Sequence, residues 1–107
     1  MRYAARRDGN DLTITLALRN AGFSIWDAAS AGGGIPDKLV YRALPDGRPW
    51  VCWVEVKMPS GKLRPAQKMF QSIFLPRDEF YVARDPVTTV AALSERYQAA
   101  IRPEDAR

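Results

Sequence analysis

The sequence predicts one mixed α/β domain, and three observations lead there. Apolar residues at helical spacing alternate along the chain with short strand-like runs. Asp46-Gly47 stands between two of those runs as a hairpin signal. The length of 107 residues, 47% hydrophobic and 26% charged, suits one core and leaves no room for a second domain. The domain is therefore taken as residues 1–107, with the charged stretch 102–107 as a frayed tail.

The elements follow in order. "NDLTITLALRNAG" spaces Leu12, Ile14, Leu16, Ala17 and Leu18 as a helix does, with Asn10 as N-cap and Gly22 as the terminating glycine. "FSIWDA" reads as a short strand with Phe23 and Ile25 on one face. A loop "GGGIP" leads into a second strand, "DKLVYRAL", and "PDGRP" turns the chain back. "WVCWVEVK", residues 50–57, is the clearest strand because it is dense in Val and Trp. Its period of two puts Val51, Trp53, Glu55 and Lys57 on one face and Cys52, Val54 and Val56 on the other, against the core. Beyond "MPSGK", a helix is expected from Pro65, with Leu63, Met69, Phe70, Ile73 and Phe74 as its apolar set. "EFYVAR" is a last strand and "PVTTVAALSERYQAAI" a closing helix.

Composition narrows the chemistry. Sixteen basic against twelve acidic residues give a net charge of +4, which suits a polyanionic partner. Histidine is absent, so no imidazole serves as base, nucleophile activator or metal ligand. Cys52 has no second cysteine to pair with and reads as a buried thiol in a reducing, cytoplasmic setting. No signal-peptide pattern opens the sequence, and no apolar run approaches the roughly 18 residues of a membrane span.

A hairpin at Asp46-Gly47 makes the second and third strands antiparallel neighbours, so Asp37 at the start of one falls beside Glu55 near the end of the next. Two converging carboxylates suit a hard divalent cation such as Mg²⁺ or Mn²⁺, and the main-chain carbonyl of Val56 is a further candidate ligand. Lys57, on the same face as Glu55, is placed to orient or deprotonate an attacking water or to offset charge on a phosphate. Metal and lysine together hydrolyse a phosphodiester without histidine.

Here "GIPD", followed 18 residues after its aspartate by "EVK", resembles the PD-(D/E)xK nuclease superfamily. The longer pattern "RRDGNDLTITLALRNAGFSIWD", "GGGIPDKLV" and "WVEVKMPSGKLRPAQKMF" resembles the VRR-NUC family, the virus-type replication and repair nucleases, over residues 6–75. The resemblance implies a restriction-endonuclease-like core in the order α-β-β-β-α-β-α, with a mixed central sheet flanked by helices. It implies a homodimeric, structure-selective endonuclease acting on branched DNA such as four-way (Holliday) junctions, like the small stand-alone viral members. Carried over by residue, it implies Asp37 and Glu55 as metal ligands, Lys57 as the assisting lysine and Gln67 as a helix glutamine beside the site. Where the family commonly has a glutamate ligand in its first helix, this chain has Asp11, a candidate metal ligand whose shorter side chain could still reach, directly or through water.

Lys62, Arg64 and Lys68 adjoin the site and are candidates for gripping phosphates, while Arg6 and Arg7 precede the first helix as a second basic cluster. Trp26, Tyr41 and Trp50 are candidates for stacking on exposed bases, against the commoner place of strand aromatics in a core or interface. The rival reading is a non-catalytic DNA-binding module on a nuclease fold, for which the shorter Asp11 is the sequence support. An RNA or nucleotide hydrolase on the same scaffold is a third.

Overall fold

A computed structural model describes residues 9–101. Arg6, Arg7 and the charged stretch 102–107 lie outside the described residues. The chain forms helix α1 (Asp11–Asn20), strand β1 (Ser24–Asp27), strands β2 (Lys38–Ala43) and β3 (Pro49–Val56), helix α2 (Pro65–Phe74), strand β4 (Phe80–Ala83) and helix α3 (Pro86–Ala100). The strands make one mixed sheet in the order β1-β2-β3-β4, antiparallel at the first two junctions and parallel at the third. The α/β class is thus observed, with three α-helices around four strands among the described residues. Among the described residues, no helix is long and apolar enough to cross a membrane.

Local sequence explains the boundaries. α1 stops at a glycine in the left-handed region: Gly22 has φ 99°, its N–H reaches the Arg19 carbonyl, and the Phe23 N–H reaches that of Leu18. This pair of bonds ends a helix while turning its next apolar residue inward, and Phe23 is accordingly buried. The β2–β3 connection closes through Gly47 N–H to the Leu44 carbonyl, with Gly47 at φ 90° and the Asp46 carboxylate accepting from Arg48 N–H. A single left-handed residue is what a short hairpin loop of this kind requires.

The helices lie on both faces of the sheet. On one, Ile14 and Leu18 of α1 and Leu93 and Tyr97 of α3 pack with Val40, Trp50, Cys52, Val54 and Val56 in one apolar cluster. On the other, Phe70 of α2 meets Trp53 edge-on at 5.3 Å and stacks on Phe74 at 4.8 Å. The alternation expected in β3 is therefore real, and both of its faces are covered. Cys52 is fully buried and its thiol is pushed up to about 12 by that burial, so it is an inert part of the core.

Packing decides three details that pattern alone left open. Leu12 and Leu16 are solvent-exposed, and the buried stripe of α1 is Asp11, Ile14, Thr15 and Leu18. Five apolar residues within one short helix leave two faces open on pattern alone, and packing against α3 selects the one. Asn10 makes no side-chain cap; its amide donates instead to the Lys57 and Arg84 carbonyls, at 3.2 and 2.7 Å. Those carbonyls stand where the parallel β3–β4 pair ends, so Asn10 joins two strand ends to α1. Trp50 is buried between Phe23 and Tyr97, at 5.4 and 5.9 Å, which withdraws it from base stacking; Trp26 and Tyr41 are exposed.

Candidate metal and phosphodiester site

The site begins with register. Lys38 pairs with Val54, so one step further Asp37 faces Glu55 across the antiparallel ladder. β2 starts only at Lys38, which leaves the Val56 N–H without a ladder acceptor; the Asp37 Oδ2 takes it at 2.9 Å. The strand end thus holds the Asp37 carboxylate in place. β3 is an inner strand, and Glu55 is 3% exposed, so Glu55 and Lys57 are not a solvated pair on a sheet edge.

Gln67 fixes Glu55. It is the third residue of α2, and its Oε1 accepts the Arg64 N–H at 2.8 Å, satisfying one of the free donors of the helix start. With its carbonyl so used, the amide nitrogen faces Glu55 and donates to Oε2 at 2.8 Å. Lys57 Nζ stands 3.7 Å from the same oxygen. Gln67, Glu55, Lys57 and Asp37 are therefore brought together. Glu55 Oε1 has no hydrogen-bond partner among the described residues although it is buried.

An unpaired buried carboxylate oxygen is costly, and its neighbour here is a second carboxylate. Burial, and after it the charge of Asp37, pushes the Glu55 carboxyl up to about 7; Lys57 works in the opposite direction. The residues fit a hard divalent cation on these grounds: two oxygen donors converge, one Glu55 oxygen has no hydrogen bond among the described residues, and Asp37 raises the Glu55 carboxyl more than Lys57 lowers it. The Val56 side chain points into the core, which leaves its main chain as the part available to the site.

In the loop before Asp37, packing requires a glycine at one position. Gly34 has φ 87°, and a Cβ there would lie 2.8 Å from the Ala66 carbonyl oxygen in the first turn of α2. Gly32 and Gly33 also have positive φ but face open space. The close approach permitted by glycine is therefore to the helix that carries Gln67. Gly34→Ala should cost about 2 kcal/mol or more, from left-handed strain plus a backbone clash, and Gly33→Ala only about 1 kcal/mol, read as denaturant midpoints. Equal losses would count against this account.

The other expected residues divide. Lys62, Arg64 and Lys68 are exposed in the loop before α2 and on its first turns. Asp11 is engaged by a lysine: its Oδ1 and Oδ2 lie 3.1 and 3.0 Å from Lys38 Nζ, and Thr15 Oγ1 donates to Oδ1 at 3.4 Å. Two residues that pattern reading missed also shape the site. Lys38 is fully buried, and Arg84 gathers the loop after Lys57 by donating to the carbonyls of Met58, Pro59 and Gly61 at 2.9, 3.3 and 2.6 Å. A lysine on the core-facing side of a strand was the available signal for the first; Arg84 left none. No family model matches the chain, and no curated protein or solved structure matches it.

Proposed function

We propose that the chain is a Mg²⁺- or Mn²⁺-dependent endodeoxyribonuclease of the VRR-NUC type, with a PD-(D/E)xK core, that cuts branched DNA such as four-way junctions as a homodimer. The observation that carries the reading is the buried, unpartnered Oε1 of Glu55 facing Asp37, with Lys57 beside it. A divalent cation held there supplies positive charge that lowers the pKa of a water and offsets charge on the phosphate. Asp37 and Glu55 bind; Gln67 keeps Glu55 turned toward the site; Lys57 Nζ orients the water or holds charge at the phosphate. In the reaction, a water oxygen bonds to phosphorus as the ester P–O bond breaks. Lys62, Arg64 and Lys68, exposed on the α2 side of the site, suit the flanking phosphates.

The homodimer follows from chemistry: cutting two strands of a junction needs two sites, and each chain offers one. The test is purified protein with labelled four-way junction, duplex and single strand, under Mg²⁺, Mn²⁺ or EDTA, with the mass in solution measured by light scattering. Cleavage favouring the junction and abolished by EDTA is expected. Junction binding without cleavage under every metal would leave a binding module instead, and preferential RNA cleavage would transfer the same chemistry to another substrate.

A further inference from the structure

We infer that this site is built for a single divalent cation, because Lys38 already supplies at Asp11 the positive charge that a second cation would bring. The inference rests on the metal-dependent reading above and specifies how many ions it involves. Lys38 and Asp37 are consecutive, so they leave the start of β2 on opposite faces of the sheet. Asp37 joins Glu55 on the α2 side; Lys38 turns to the α1 side, where its ammonium meets both oxygens of Asp11 at 3.1 and 3.0 Å.

The pair is shut in. The Lys38 side chain is 1% exposed and that of Asp11 10%. An ammonium with so little access to water depends on its carboxylate, and a cation on Asp11 would sit against that ammonium in a low-dielectric setting. Glu55 presents the opposite case: one of its buried oxygens has no hydrogen-bond partner among the described residues, and burial and Asp37 raise its carboxyl despite Lys57. The shorter Asp11 and the buried Lys38 thus belong together: the carboxylate at the start of α1 serves as the counter-ion of a lysine, tying α1 to β2 beside Asp37.

The experiment counts ions with Mn²⁺ alone, by titration calorimetry and by electron paramagnetic resonance of free Mn²⁺, on DNA-free protein. Wild type is expected to bind one Mn²⁺ per chain. Asp11→Asn/Lys38→Met, which removes both charges at once, is expected to bind one with a Kd within about twofold of wild type. Two ions per wild-type chain would overturn the inference, as would loss of Mn²⁺ binding from a double variant that still melts cooperatively. If the double variant does not fold, the wild-type count decides alone. Absence of any Mn²⁺ binding would defeat the metal-dependent reading and this inference with it; one ion lost on Asp37→Asn, or two ions, would leave that reading standing.

Discussion

Asp37→Asn should lower metal-dependent cleavage by roughly 10³-fold while leaving the metal-free fold intact. The asparagine keeps an oxygen for the Val56 N–H, which Asp37 now accepts at 2.9 Å, so the strand end stays anchored. What disappears is a negative charge beside Glu55, and with it half of the cation's carboxylate set. Removing that charge relieves one of the effects that raise the Glu55 carboxyl, so stability should hold or rise. Lys57→Met should also cost roughly 10²- to 10³-fold, because it deletes a charge 3.7 Å from Glu55 with little change in side-chain length. Gln67→Ala acts one step removed, by releasing Glu55 Oε2 and uncapping α2, and roughly 10- to 100-fold is expected. Single-turnover rates on a four-way junction at saturating Mg²⁺ measure all three. Asp37→Asn cleaving within tenfold of wild type would exclude this aspartate as a ligand.

How much of this was legible depended on whether a local rule decided it. The β3 faces were legible because Cys52, Val54 and Val56 alternate with Trp53 and Glu55, and a strand buried on both sides keeps that period. The meeting of Asp37 with Glu55 was legible because the loop around Gly47 sets the register, and every later pair follows from it. The buried face of α1 was not, since five apolar residues offered two stripes and only α3 could choose between them. Asn10 obeys a capping statistic by position yet spends its amide on Lys57 and Arg84, residues 47 and 74 positions away. Lys38 is the sharpest case. Apolar patterning has no place for a lysine between buried neighbours, and its reason for being there is Asp11, 27 residues earlier in a different element. Contacts of that kind appear only when the helix is docked.

Glu55→Gln should stabilise the metal-free protein at pH 8 and abolish its stabilisation by Mg²⁺. The wild-type carboxyl is raised from an ordinary 4.5 to about 7, by burial first and the charge of Asp37 second. Between those values the folded chain binds a proton that the unfolded chain has released, so folding loses stability as pH rises from about 4.5 to 7 and does not recover it above. At 1.36 kcal/mol per pH unit the loss is on the order of 3 kcal/mol. Glutamine carries no such charge, and its carbonyl can still accept from Gln67, as Oε2 does at 2.8 Å. The free energy of Glu55→Gln minus that of wild type should therefore be near zero at pH 4.5 and climb to about 3 kcal/mol by pH 8; taking the difference cancels the acid titration of the other carboxylates. A cation reverses the ranking, because it binds the charged carboxylates of the folded state alone: at a Mg²⁺ concentration of 100 times Kd, wild type should regain about 2.7 kcal/mol and the variant little. The same competition between proton and cation should weaken Mg²⁺ binding as pH falls below 7. Urea midpoints with and without Mg²⁺ across this range decide the matter. A flat difference curve would mean that Glu55 is already compensated without a cation, and the strain on which the proposed metal site rests would be absent.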